Sequence, residues 1–86
     1  MTVETPAETL EILRDYVRRE SAYDGPLDPD ADLLEERILD SFSILQVALF
    51  IQERFGIELE ADDLVRANLA KLSSMIALIE KRRGAS

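Results

Sequence analysis

The residues best suited to chemistry are Asp40 and Ser41, which stand where an acidic segment meets a long apolar run. Both residue types are frequent helix N-caps, so capping is the plainest interpretation of the pair. A serine hydroxyl at the positive end of a helix also suits attachment of a phosphate-linked group, because the helix N-terminus stabilises negative charge. A carboxylate beside it can help to hold the Mg²⁺ ion and the basic enzyme surface that deliver such a group.

The composition excludes most other kinds of site. The 86 residues include no cysteine and no histidine, so disulfides, thiolate metal sites, cysteine nucleophiles and the commonest general base are absent. Asp28, Asp30 and Asp32 have the spacing that opens a calcium loop, but Leu33 and Leu39 occupy the positions that require glycine and glutamate. We therefore expect a protein that is not an enzyme and has no dedicated metal site.

Negative charge is concentrated in one segment. The net charge is −8, and residues 20–40 hold eight acidic residues against one arginine, a net of −7. This acidity disfavours nucleic acid and anionic membranes and favours partners with basic patches.

The chain has no apolar run of membrane-spanning length, and its N-terminus lacks the pattern of a signal peptide. We expect residues 1–86 to form a single domain of a monomeric, cytoplasmic protein.

The first half of the chain predicts one helix and one long loop. Thr5 and Glu8 form a capping box, and Pro6 suits the first helical position, so an amphipathic helix begins here and runs to about Glu20. Residues 21–40 then predict a long loop with one helical turn near 31–35, because proline, glycine and acidic residues interrupt any apolar period. A loop of this length is uncommon unless it has a function or is disordered.

The second half predicts three further helices. The second helix runs from Ser41 to Phe55 and ends at Gly56, a usual stop residue. A short third helix is predicted from Ala61 to about Ala67, ended by Asn68, and a last helix begins near Leu72 with Gly84 after its basic end.

The second helix is more apolar than one core contact requires. At 100° per residue, one broad arc holds the predicted core residues, which are Ile44, Val47, Ala48, Ile51 and Phe55. Leu45 and Leu49 lie outside this arc, on the same side as Ser41. Phe42 is also displaced from its centre. These residues are candidates for contact with a partner protein.

With these features the chain resembles acyl carrier proteins, which hold thioesters on a 4′-phosphopantetheine arm attached to a serine. The similarity rests on Asp40-Ser41-Phe42 at the start of the second helix and on Glu53-Arg54-Phe55-Gly56-Ile57 at its end. It continues through Ala61-Asp62-Asp63-Leu64 and Asn68-Leu69 and covers residues 7–82. The resemblance implies an all-α, acyl-carrier-like four-helix bundle, with three main helices, a short third helix and a long acidic first loop.

The resemblance also implies roles for individual residues. Ser41 would carry the phosphopantetheine and Asp40 would support its attachment. The residues implied in partner binding are Phe42, Leu45, Gln46 and Leu49. The apolar loop residues Leu33, Leu34 and Leu39 would pack the top of the bundle or line a shallow acyl pocket. The implied partners are a phosphopantetheinyl transferase using coenzyme A and Mg²⁺, an adenylating ligase or acyltransferase, and downstream synthase enzymes.

Three departures distinguish the chain from carriers of fatty-acid synthesis. Ile38 stands where many of these have glycine, Phe42 follows the serine in place of leucine, and the second helix lacks a strongly acidic face. The run Ile-Leu-Asp-Ser-Phe is more similar to D-alanyl carriers and to stand-alone aminoacyl or peptidyl carriers. We therefore expect a carrier in a specialised pathway of the polyketide or nonribosomal-peptide type, with an amino acid as a candidate cargo.

An alternative interpretation is an unmodified, acidic helical interaction module. In that case Ser41 only caps its helix, and the apolar face of the second helix binds a partner helix or groove.

Overall fold

A computed structural model describes residues 4–84 and is all-helical over that range. The helices are α1 (Pro6–Ser21), α2 (Ser41–Phe55), α3 (Arg66–Leu69) and α4 (Leu72–Gly84), and a single 3-10 turn, Ala61–Asp63, precedes α3. The part of the chain described here contains no strand. The predicted all-α architecture with a short third helix is confirmed.

Helix α1 begins and ends as the local sequence predicts. The Thr5 amide donates to Glu8 Oε1 at 2.9 Å, and the Glu8 amide donates to Thr5 Oγ1 at 3.2 Å, which completes the capping box. The helix ends at Ser21, one residue beyond the predicted end. Leu13 and Val17 are fully buried, so the apolar stripe of α1 faces the core.

The core face of α2 is also the predicted one. Four of the five expected residues are buried and the fifth, Phe55, is half-buried; the buried ones are Ile44, Val47, Ala48 and Ile51. Gly56 ends the helix with φ of 64°, a conformation that glycine adopts without steric cost. Tyr16 of α1 stacks on Phe50 of α2, with ring centroids 4.1 Å apart.

The acidic loop between α1 and α2 is held against the bundle. Leu27 and Leu33 are buried in the core, so the loop has apolar anchors among its charges. The Leu33 amide donates to the carbonyl of Ala70 at 2.8 Å, and the Ser73 amide donates to the carbonyl of Pro29 at 2.9 Å. These bonds tie the loop to the residue that follows α3 and to the first turn of α4, so they join segments that are distant in the chain.

The predicted helical turn within this loop lies slightly later than expected. Hydrogen bonds from the Glu36 amide to the Asp32 carbonyl and from the Arg37 amide to the Leu34 carbonyl form turns over residues 32–37, where 31–35 was predicted. The Asp32 carboxylate accepts from the amides of Leu34 and Glu35, which begins the turn.

The predicted extent of the third helix is wrong. One helix was expected from Ala61 to about Ala67 with Asn68 as its end, but the 3-10 turn stops at Asp63 and α3 begins at Arg66. Asn68 lies inside α3, and its side-chain amide donates to the carbonyl of Asp63 at 3.0 Å. Asn68 therefore connects the 3-10 turn to α3 and does not end the helix.

The physical reason for the break is that Asp63 is buried. The sequence places Asp63 in the first turn of the predicted third helix, but its side chain is buried and accepts from Arg82 Nη2 at 2.6 Å and from the Glu60 amide at 2.9 Å, both on Oδ2. Arg82 lies on α4, so a tertiary ion pair fixes the turn where local preference predicts continuous helix.

Helix α4 closes the bundle. It includes Gly84, which the sequence had placed just after its end, and it buries Leu72, Met75 and Ile79. Near its C-terminus Arg83 pairs with Glu4 at 2.8 Å, and Arg54 of α2 pairs with the same carboxylate at 2.9 Å. This end of the bundle lies at the far end of α2 from Ser41.

Among the described residues, no helix is both long and apolar enough to cross a membrane. The expectation that the N-terminus lacks a signal peptide depends in part on residues 1–3, which lie outside the described range.

Candidate functional site

Ser41 is the first residue of α2 and is exposed, while Asp40 caps the helix. Asp40 Oδ1 accepts a hydrogen bond from the Ser43 amide at 2.8 Å, and the Asp40 carbonyl accepts from the Ile44 amide at 3.0 Å. Either residue of the pair could have been the cap. Because Asp40 takes that role, the Ser41 hydroxyl is not needed to satisfy the helix N-terminus.

The charge beside Ser41 is fixed by the same geometry. The amide and then the hydroxyl of Ser43 hold the pKa of the Asp40 carboxyl below its ordinary value, and they outweigh the opposing effect of burial. Asp40 is therefore ionised at neutral pH, and a carboxylate stands directly beside the Ser41 hydroxyl.

An open cleft of about 640 Å³ adjoins Ser41. Its wall is formed by the end of α1, the acidic loop, the start of α2 and one residue of α3. The lining residues are Glu20, Ser21, Leu34, Arg37, Ile38, Leu39, Asp40, Ser41, Ser43 and Arg66. The cleft thus combines a short apolar strip with charges of both signs, next to an exposed hydroxyl.

The three apolar loop residues singled out from the sequence have different positions. Leu33 is fully buried and packs in the core, so it does not line the cleft. Leu34 lines the cleft and is half-buried. Leu39 does both, since it is buried against the core and contributes to the cleft wall.

Two arginines of the cleft have no local sequence signal. Arg66 comes from α3 and pairs through Nη2 with Asp32 Oδ2 at 3.1 Å. The Glu35 amide, the Arg66 guanidinium and the Leu34 amide together hold the pKa of Asp32 below its ordinary value. Arg37 comes from the turn of the acidic loop, with φ of 59°. Only tertiary folding brings Arg66 to the cleft of Ser41, whereas Arg37 lies close to Ser41 in the chain.

The apolar α2 face, defined here as Phe42, Leu45 and Leu49, is exposed. The exposed fractions of these side chains are 67%, 53% and 52%. Gln46, the fourth predicted partner residue, is half-buried and lies with Leu49 in a shallow groove beside Tyr16. The structure therefore places the four predicted partner residues on or beside one solvent-facing side of α2.

A second exposed apolar pair was not predicted. Leu64 and Val65, in the connection between the 3-10 turn and α3, are 43% and 45% exposed. The sequence shows apolar residues here, but whether they face the core depends on where the third helix begins.

Comparison with known proteins identifies the type of chain. A family model described as "Phosphopantetheine attachment site" matches residues 11–79, which include Ser41 and every residue that lines the cleft. A D-alanyl carrier protein from Staphylococcus saprophyticus is 36% identical over 55 residues, covering 64% of this chain and 70% of that protein. No solved structure matches significantly.

The matched family consists of non-catalytic carrier domains to which 4′-phosphopantetheine is covalently attached. The match spans most of the chain, and the helical architecture agrees with it. The protein therefore belongs to the phosphopantetheine-binding carrier family.

Proposed function

We propose that Ser41 is the attachment residue, and that the protein carries acyl or aminoacyl groups between enzymes of a specialised biosynthetic pathway. The observation that carries this proposal is the position of Ser41. It is an exposed serine at the first position of α2, beside an ionised aspartate, at the edge of an open cleft within the matched residues.

The residues present fit a phosphopantetheine arm. The Ser41 hydroxyl is exposed, and Asp40 satisfies the helix N-terminus in its place. A phosphodiester on Ser41 lies at the positive end of α2, where negative charge is stabilised. The chain has no cysteine of its own, and the bound arm supplies the terminal thiol that holds the cargo as a thioester.

Attachment needs a partner transferase, coenzyme A and Mg²⁺. Ser41 Oγ forms the new bond to phosphorus, its proton passes to a base of the transferase, and adenosine 3′,5′-bisphosphate leaves. Asp40 supports this step by providing a carboxylate next to Ser41, where it helps to hold Mg²⁺ between the two proteins. The depressed pKa of Asp40 keeps this carboxylate ionised at neutral pH.

An amino acid is the cargo that the similarities favour. The relative named above is a D-alanyl carrier protein, and an amino acid would reach the arm through an adenylating ligase. Helix α2 contains a single acidic residue, Glu53. Docking on α2 would therefore depend on the apolar α2 face and Gln46, while the acidic loop steers basic enzyme surfaces from a distance.

The interaction-module alternative has one specific observation in its favour, the exposure of the apolar α2 face. The same face serves a carrier, which must dock weakly on several enzymes in turn. The two interpretations differ in whether Ser41 becomes modified, so modification is the quantity to measure.

The test is the intact mass of the protein after incubation with coenzyme A, Mg²⁺ and a permissive phosphopantetheinyl transferase. Wild type should gain one phosphopantetheine, and Ser41→Ala should gain none. Ser43→Ala is the matched control, since it removes a neighbouring hydroxyl but keeps the amide that Asp40 binds. Circular dichroism would show that all three proteins are folded.

Two outcomes would contradict the proposal. A gain on Ser41→Ala would place the attachment at another residue. No gain on folded wild type with two transferases of different specificity would favour the unmodified module.

A further inference from the structure

Attachment at Ser41 adds negative charge where the protein is already acidic. Asp40 is adjacent and ionised, and Glu20 lines the same cleft. The phosphodiester of the arm would carry a further charge of the same sign on the residue directly after Asp40. Like charges on adjacent residues repel each other and are only partly screened by salt. A cation at this end of the molecule would offset the repulsion.

Two guanidinium groups line the cleft, and one of them is already paired. Arg66 binds Asp32 at 3.1 Å. Arg37 is exposed, and its side chain makes no ion pair or hydrogen bond with any other residue in the range 4–84. The planar guanidinium group is well suited to phosphate, because its N–H donors match the spacing of phosphate oxygens. Arg37 is thus the available cation of the cleft.

The backbone conformation at position 37 does not account for the presence of an arginine there. Its φ is 59°, in the left-handed region that costs free energy for a residue with a Cβ atom. The Arg37 amide donates to the Leu34 carbonyl at 3.2 Å, and the Ile38 amide donates to the Leu33 carbonyl at 3.0 Å, which holds the turn. Glycine would form this turn with less strain, so the turn does not account for the long cationic side chain.

We propose that the Arg37 guanidinium contacts the phosphodiester at Ser41 and offsets the charge that attachment introduces. The inference rests on the proposed attachment at Ser41 and adds a positioning residue to that site. Arg37 comes from the acidic loop, so the contact also joins the loop to the attachment point. Removal of the Arg37 charge should therefore lower the thermal stability of the loaded protein more than that of the unloaded protein.

The test compares thermal unfolding of the unloaded and fully loaded forms of four proteins at low salt. These are wild type, Arg37→Gly, Arg37→Gln and the control Lys81→Gln, which removes an exposed cation near the end of α4 that does not line the cleft. Loading is driven to completion with excess transferase and checked by intact mass. For each protein the measured quantity is the change in Tm from the unloaded to the loaded form. In both Arg37 variants this change should be more negative than in wild type and Lys81→Gln, by about 3 °C or more.

Two internal checks separate this effect from misfolding. Unloaded Arg37→Gly should melt at or above the temperature of wild type, because glycine relieves the strain at φ of 59°. The difference between loaded forms should shrink in about 0.5 M salt, where exposed charges are screened.

The outcomes distinguish this inference from the proposed function. Absence of any mass gain on wild type would overturn attachment itself. If wild type loads and the change in Tm on loading is equal in all four proteins, Arg37 has no role. If only the Arg37 variants resist loading, Arg37→Lys should restore it; failure of that rescue would overturn the charge role.

Discussion

At the scale of single residues, Asp40 and Ser41 have separate roles, although from the sequence either residue could be the helix cap. Asp40 satisfies the Ser43 amide and caps α2, whereas the Ser41 side chain is exposed. In the proposed function Asp40 has a second role, because its charge supports attachment at Ser41. Asparagine and aspartate are about equally good caps, so the charge can be removed while the cap stays.

Asp40→Asn should slow loading by about ten-fold or more and change Tm by less than about 3 °C. Asp40→Ala should slow loading similarly and also lower Tm by roughly 4–8 °C, because the Ser43 amide loses its acceptor. The measurements are the initial rate of mass gain with a transferase and a thermal melt by circular dichroism. A normal loading rate for Asp40→Asn would show that the carboxylate acts only as a cap.

At the scale of elements, α2 has two apolar sides with different surroundings. Its core side contains Val47 and Ile51, which have no exposed surface, whereas the apolar α2 face is more than half exposed. Truncation of a core residue leaves a cavity and loses buried contacts. Truncation of an exposed residue changes stability little, because that side chain already contacts water in the folded state.

Leu45→Ser and Leu49→Ser should therefore raise the KM of a transferase for the carrier by about five-fold or more, with Tm within about 3 °C of wild type. Leu64→Ser is the matched control, since Leu64 is 43% exposed but lies outside α2. Its KM should equal that of wild type. The same rise in KM for all three variants, or no rise in any, would contradict docking on the apolar α2 face.

At the scale of the whole molecule, ion pairs join segments that are far apart in the chain. Glu4 pairs with Arg54 and Arg83, and buried Asp63 pairs with Arg82. The Arg82 guanidinium and the Glu60 amide hold the pKa of Asp63 below its ordinary value. A backbone hydrogen bond at Glu4 itself and then the two arginines do the same for the pKa of Glu4.

These depressed pKa values predict that the stability of the fold decreases as the pH falls. A carboxyl with a lower pKa in the folded state contributes stability that is present above its ordinary pKa, 3.8 for Asp63, and is lost as pH falls below it. Tm should therefore fall between about pH 5 and pH 2.5. Asp63→Asn should melt lower than wild type at pH 7 and lose less Tm over this range.

Asp62→Asn is the control for this pH series, because Asp62 is adjacent but exposed. Its melting curve against pH should run parallel to that of wild type. Parallel curves for Asp63→Asn as well would show that the pair with Arg82 does not couple folding to pH.

The sequence by itself determined the features that depend on neighbouring residues. The capping box of Thr5 and Glu8 and the stop at Gly56 locate the ends of α1 and α2 to within a residue, because caps act over three or four positions. The spacing of apolar residues also identified the core side of α2 and its exposed face. The motif around Ser41 was enough to suggest the carrier family.

The tertiary structure alone decided the features that join distant residues. Leu33 and Pro29 anchor the acidic loop through backbone hydrogen bonds to Ala70 and Ser73, and no local sequence pattern predicts these bonds. The pair of Asp63 with Arg82 shortens the third helix, because a buried ion pair outweighs local helix preference. Arg66 of α3 also reaches the cleft of Ser41 only through the tertiary fold. Folding brings together charged residues that are far apart in the chain, and their spacing in the sequence does not predict the distance between them.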